Sequence, residues 1–219
     1  RKVISACSRE NWSKEAFPWL SVRECFIGFS PATVMAVSFS GEMAYEIHIP
    51  NESLYAAYQS LTKAGKEFGM QIFGARAVES MRMEKGFLAW KHDLITEYDP
   101  FETGLNRFTN LQKEDFIGKA ALQKRFDGGL NKKLVCLNIN CKHAPAPGGA
   151  SLMDGDKVVG TISSGEWGYR VNQNLAYAFV NIDKAEIGTK MNLDLFGKLV
   201  ETEVMPFAPY DSNFSRILA

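Results

Sequence analysis

The residues best suited to chemistry lie in the stretch VMAVSFSGEMAYEIHI, positions 34–49. Two runs of strand composition, 34–39 and 45–49, flank Ser40-Gly41-Glu42-Met43-Ala44, where a glycine weakens a strand and favours a turn. Because side chains alternate across a strand, Glu46 and His48 share one face while Tyr45, Ile47 and Ile49 share the other. A carboxylate held on a strand can accept paired hydrogen bonds from a planar N–H/NH2 edge of a heterocycle, much as it does from a guanidinium. Phe39, Tyr45, Trp90, Phe101 and Phe108 could wall a slot for such a ring, although core packing is the more common reason for any one of them taken singly. Glu42, Glu84, Asp93, Asp99 and Glu102 are further acid/base candidates, but a lone carboxylate is ordinarily solvated surface. Among the arginines, Arg76, Arg82 and Arg107 could meet an acidic tail on a ligand. Arg82, with Glu79 and Glu84 nearby, reads instead as a helix-surface ion pair.

The elements that must position these groups follow from pattern. Positions 2–7 read as the middle of a helix without a cap, which suggests a fragment with a folded part upstream. A strand over 22–28 leads to a Ser30-Pro31 turn. A helix over 51–67 is predicted, with Leu54, Tyr55, Tyr58 and Leu61 at helical spacing, Asn51 as its cap and Gly69 marking its end. A second helix covers 74–85, with Ala77, Met81 and Glu84 on one stripe, Val78, Arg82 and Lys85 on the next, and Gly86 as a stop. Positions 87–108 read as a long loop, uncommon in a compact domain unless it binds something. A short helix over 115–126 precedes Asp127-Gly128-Gly129, the strongest boundary signal in the chain. Beyond it, strands at 133–140, 157–163, 175–182, 191–196 and 199–205 are separated by glycine- and proline-rich turns, which predicts a small β-barrel or sandwich. The fold class is therefore α+β, with domains at 1–128 and 129–219.

Composition removes several function classes. Lys+Arg and Asp+Glu are 25 each, so no overall field attracts nucleic acid. No apolar run approaches the roughly 18 residues a membrane span needs, and no signal-peptide pattern opens the chain; a cytoplasmic protein is expected. Cys7, Cys25, Cys136 and Cys141 show neither CxxC pairing nor a disulfide rhythm, and His48, His92 and His143 are too scattered for a ligand set, so free thiols and no metal are expected. P-loop, GxSxG and GxGxxG motifs are absent.

The order SGEMAYEIHIP, GARAVESMRMEKGFLAW, DPFETGLNRF, DFIGKAAL, GTISSGEWG and LAYAFV resembles the tetrahydrofolate-dependent aminomethyltransferases. These comprise the T-protein of the glycine cleavage system and, more closely, the folate-binding C-terminal half of dimethylglycine and sarcosine dehydrogenases. The resemblance runs from about residue 22 to 207 and rests on several motifs in the same order. It implies an incomplete ferredoxin-like α/β portion, lacking its N-terminal part, followed by a β-barrel around a folate channel. By the same resemblance Glu46 corresponds to the glutamate that grips the pterin, with Tyr45 and Ile47 beside it and Phe39 where relatives carry a tyrosine; Trp90, from the aromatic set above, is the remaining expected folate contact. Arg107 stands where the dehydrogenases carry an aromatic in a Gly-Leu-Glu-Tyr-Phe motif, so it either stacks on the ring or pairs with the glutamate tail. A T-protein arginine that precedes the Ser-Leu-Arg-Leu-Glu motif falls on Val78 here, which places the chain nearer the dehydrogenase branch. The family's catalytic aspartate is expected upstream of Arg1. What the resemblance implies, then, is one-carbon transfer to tetrahydrofolate from a methylated glycine or aminomethyl carrier, with an upstream flavin domain as a possible partner and a mitochondrial-matrix location in a eukaryote. Taken alone, the fragment would be inactive. The alternatives are a non-catalytic folate-binding module of the same fold and a demethylase acting on another methylated small molecule.

Overall fold

The structure is a computed structural model and describes residues 1–219. Two compact units are present, Arg1–Val78 together with Asn213–Ala219, and Glu79–Ser212.

In the first unit, α1 (Lys2–Cys7) precedes a three-stranded antiparallel sheet of β1 (Val22–Ile27), β2 (Ser30–Met35) and β3 (Glu46–His48), in that order, and α2 (Asn51–Lys66) follows. The strand expected at 34–39 begins earlier. The chain reverses at Gly28-Phe29, where Gly28 takes a φ of 60°, and Ser30-Pro31 already pairs with β1 instead of forming the turn. Val34 is then β2's partner for Ile47, which fixes the register of β3. Its core gathers Ile4, Trp12, Phe17, Ile27, Val34 and Ala57, the last from α2. The helix is where its spacing predicts, but its buried face is not. Leu54, Tyr55 and Tyr58 are exposed, Tyr55 to 71%, while Ala57 is fully buried. Close packing on the sheet favours the small residue, because a helix can approach nearer where its side chain is short. Asn51 begins the helix, but the N-cap position is Pro50, with no side-chain cap bond.

The second unit is built on a closed six-stranded barrel. Its strands are β4 (Lys132–Ile139), β5 (Ser151–Asp154), β6 (Lys157–Gly168), β7 (Gln173–Asn181), β8 (Lys190–Leu195) and β9 (Lys198–Met205), ordered β4-β7-β6-β5-β8-β9, with β9 returning to β4. Alternation puts Val135, Leu137, Ile162, Ala178, Leu193 and Val204 inside. The opposite faces of β4 and β7 are also covered, because Leu134, Cys136, Leu175, Tyr177 and Phe179 pack with Met83. Five of the strands match expectation; β5 was not anticipated, being four residues long behind a Pro-Gly-Gly run. Without it, no path from β6 to β8 would close the barrel. Gly165 marks a close crossing: a Cβ there would lie 2.2 Å from the carbonyl oxygen of Ala146. All four cysteines are free.

The expected division at 128/129 lies just before the first barrel strand, whereas the compact units divide at 78/79. The physical reason is that 79–127 packs with the barrel. Ser80 Oγ donates to the Trp167 carbonyl at 2.5 Å, and Tyr98 stacks on Phe179 with ring centres 3.4 Å apart. The helices here are α3 (Ala75–Glu84), which the division cuts, and α4 (Lys119–Asp127), shorter than the expected 115–126 because Gly118 enters it with a φ of 92°.

Candidate functional site

Two groups of predicted site residues occur, one in each unit. In the first, β3 carries Glu46 and His48 outward, and Tyr45 and Ile47 pack against the core, as the alternation requires. Tyr45 closes an aromatic cluster: its ring centre is 5.9 Å from both Trp12 and Phe17, and those two meet edge to face at 4.9 Å. Its hydroxyl is buried and has no hydrogen-bond partner. Glu46 sits on this rigid base with its side chain 56% exposed, and His48 Nε2 is 3.6 Å from its carboxylate. No lysine or arginine pairs with it. Phe39, partly exposed, lies in the connection to β3, where Ser38 Oγ accepts from Gly41 N–H and Ser40 Oγ from Glu42 N–H. Glu42 is held by Arg216 at 2.9 Å.

In the second unit the 87–108 loop does enclose space. Trp90, Leu94, Ile95, Tyr98, Pro100 and Leu105 line a largely apolar cavity of about 530 Å³, within the size range of small-molecule sites. Trp90 is 75% exposed at its mouth. The other aromatics of the loop do not join it: Phe101 packs on Phe126 with centres 5.3 Å apart, and Phe108 stands exposed with the Arg107 guanidinium 4.7 Å over its ring. Arg107 belongs to a 3-10 turn, Asn106–Phe108, and is itself exposed.

Most remaining carboxylates are structural. Asp99 and Glu102 both meet Arg125, at 2.9 and 3.1 Å, and Asp99 Oδ1 accepts from the N–H groups of Phe101 and Glu102. Burial pushes the Asp99 carboxyl up, but the Glu102 and Phe101 N–H groups and the Arg125 guanidinium together hold it below its ordinary value. A carboxyl whose folded value is depressed stabilises the fold above its unfolded pKa, about 3.9, and that contribution is lost as pH falls through the lower folded value. Urea midpoints of the wild type and Asp99→Asn are therefore expected to differ above about pH 4 and to converge in stronger acid. A constant difference down to pH 2 would show that charge plays no part.

The largest departure concerns the end of α3. Arg82, expected on the helix surface, is buried to 1%, and Glu84 and Lys85 are buried as well. Arg82 Nη1 donates to Asp93 Oδ2 at 2.6 Å, Glu84 accepts from Arg170 Nε and from the Arg170 and Val171 N–H groups, and Lys85 pairs with Asp211 at 2.8 Å. Asp93 and Glu84 are thus framework groups and not free acids or bases. The one local signal was the crowding of three charges into the last turn before Gly86, which leaves no purely wet face for all of them.

An α+β portion followed along the chain by a closed six-stranded barrel is the architecture of the glycine cleavage T-protein fold. The chain belongs to the glycine cleavage T-protein family: residues 1–113 match the family described as GCVT N-terminal domain, and residues 132–211 match the glycine cleavage T-protein C-terminal barrel domain. It is 34% identical over 199 residues to mitochondrial dimethylglycine dehydrogenase of Homo sapiens, covering 90% of this chain and 23% of that protein. Mitochondrial sarcosine dehydrogenase of Mus musculus is 28% identical over 226 residues, with 99% of this chain and 24% of that protein covered. An aminomethyltransferase of Cutibacterium acnes is 34% identical over 180 residues, covering 81% of this chain and 48% of the relative. The chain thus spans about a quarter of the dehydrogenases and about half of the transferase. The crystal structure of the glycine cleavage system aminomethyltransferase T from Bartonella henselae superposes with a TM-score of 0.80 at 20% identity, over 91% of this chain and 54% of that one, which establishes the shared fold.

Proposed function

We propose that the chain is the C-terminal, folate-binding part of a tetrahydrofolate-dependent aminomethyltransferase or methylglycine-dehydrogenase-type enzyme. The observation that carries this reading is Glu46: a carboxylate with no lysine or arginine partner and only His48 Nε2 nearby at 3.6 Å, presented from a strand that Trp12, Phe17 and Tyr45 hold in place. Its two oxygens fit the paired N–H donors of a pterin edge, which a carboxylate already bridged to lysine or arginine would not. Tetrahydrofolate, when bound, supplies the N5 and N10 nitrogens that accept the one-carbon unit as 5,10-methylenetetrahydrofolate. Glu46 fixes the orientation of the ring. In the second unit, taken by itself, the apolar cavity lined by Trp90, Tyr98 and Leu105 offers a surface that excludes water. Arg107, exposed and carrying no ion pair, is available to an acidic tail. The one-carbon donor is proposed to be a methylated glycine or an aminomethyl carrier, with a flavin domain elsewhere in the full-length protein for the methylglycine branch. The compartment is proposed to be the mitochondrial matrix in a eukaryote and the cytoplasm in a bacterium.

Titration of the full-length protein with tetrahydrofolate tests the assignment. Glu46→Ala is expected to weaken binding roughly 10- to 100-fold, the usual loss for charge-assisted hydrogen bonds. Unchanged affinity would remove Glu46 from the site. Turnover separates the readings: an enzyme loses one-carbon transfer along with folate affinity, whereas a non-catalytic folate module loses only folate-dependent stability.

A further inference from the structure

The sheet of the first unit turns one face to its core and leaves the other uncovered. Cys25, Ile27, Ala32 and Val34 point into the core, and the residues that alternate with them point outward. Directly paired residues of antiparallel strands project to the same side, so the register arranges the outward side chains in rows that cross all three strands. Val22, Met35 and Glu46 make one row, and Glu24, Thr33 and His48 make the next. None of the six is buried, and Val22 at the far end of the first row is 61% exposed. Neither row holds a lysine or an arginine.

A flat ring whose N–H edge is held by Glu46 has little choice of direction on this face. Along β3 the next outward side chain is His48, whose Nε2 stands 3.6 Å from the Glu46 carboxylate and fills that side. Away from β2 there is no further strand, because β3 is the edge of the sheet. Across the sheet the neighbour is Met35, with paired Cβ atoms roughly 5 Å apart, and Val22 lies one strand beyond. Past its carboxylate this row is wholly apolar, whereas the row of Glu24, Thr33 and His48 is polar throughout. An anchoring anion that opens onto an apolar floor complements a planar ring with donors along one edge, and a thioether makes a favourable contact with such a ring.

We infer that the ring held by Glu46 lies across the sheet on Met35, with Val22 beyond, so that Met35 is a second binding residue and sets the direction of the ring. This rests on the folate reading above and adds to it the face on which the pterin lies. The contribution of Met35 is smaller than that of Glu46: a thioether–ring contact accounts for about 2- to 10-fold in affinity.

The test is a titration of the full-length protein, isotope-labelled at its methionine methyl groups, with tetrahydrofolate. The Met35 methyl resonance, assigned by its disappearance in Met35→Leu, is expected to shift saturably as the ligand binds. Met35→Ala is expected to weaken tetrahydrofolate about 2- to 10-fold, and Met35→Leu, close in volume, to restore most of the loss. Thr33→Ala, a truncation in the neighbouring row, is expected to bind as the wild type does. The inference is overturned if the Met35 methyl stays in place while the ligand saturates, or if Met35→Ala binds normally while Glu46→Ala does not. It is equally overturned if Thr33→Ala weakens binding as much as Met35→Ala, which puts the ring on the other row. In these three results Glu46 keeps its role. If Glu46→Ala leaves the affinity unchanged, or the wild type binds no tetrahydrofolate, the folate reading fails and this inference fails with it, so the Glu46 variant tells the two failures apart.

Discussion

Asp93→Ala is expected to lower the stability of the second unit by about 3–5 kcal/mol, the usual cost of stranding one member of a buried ion pair. Asp93 is fully buried, and each of its oxygens has two donors: Oδ2 takes Arg82 Nη1 at 2.6 Å and Ala89 N–H at 2.9 Å, while Oδ1 takes Ser163 Oγ at 2.5 Å and Ser164 Oγ at 2.7 Å. Arg82 keeps other partners when the carboxylate is removed, since it also donates to the Phe87 carbonyl, Ser164 Oγ and Glu79. Of these only Glu79 is charged, and it is partly exposed, so most of the buried positive charge goes uncompensated. The Ala89 N–H loses its acceptor as well, and with it the turn that presents Trp90 is freed from the barrel. Denaturant unfolding gives the magnitude, and hydrogen exchange gives the place: β6 and the 87–94 turn should lose protection first. Asp93→Asn retains one acceptor and should cost less. A loss below 1 kcal/mol for the alanine variant would mean that the pair is wet and that the network does not anchor the loop.

Trp12→Ala should cost about 3–5 kcal/mol in the first unit, as for other buried tryptophans. Trp12 is 2% exposed, meets Phe17 edge to face at 4.9 Å, and lies under the Arg23 guanidinium, whose carbon is 5.4 Å from its ring centre. Arg23 is itself fixed by bonds to the Asn11 and Ala16 carbonyls at 2.6 and 2.8 Å, so the cavity left by the indole cannot collapse by a simple shift of that side chain. Tyr45 loses one of its two ring neighbours, and Tyr45 is the residue next to Glu46. Under the proposed function the same substitution therefore weakens tetrahydrofolate binding without Trp12 touching the ligand. Trp12→Phe, which refills most of the space, should restore affinity before it restores full stability. Loss of stability with folate affinity intact would separate β3 from the aromatic cluster and overturn this coupling.

Local chemistry fixed much of this in advance. The helix over Asn51–Lys66, the stop at Gly86, five of six barrel strands and the outward face of Glu46 all follow from periodicity and turn residues, which depend on neighbours within a few positions. Periodicity says which side chains share a face. It does not say which face is covered, and so α2 buries Ala57 and leaves Tyr55 and Tyr58 in water. Nor could it foresee the buried charges. Arg82 is stable inside only because Asp93 and Ser164, 11 and 82 positions away, arrive beside it; Glu84 waits on Arg170 at a separation of 86, and Lys85 on Asp211 at 126. A charge read alone belongs at the surface, because desolvation outweighs any local gain, and only the fold brings the partner that reverses the sign.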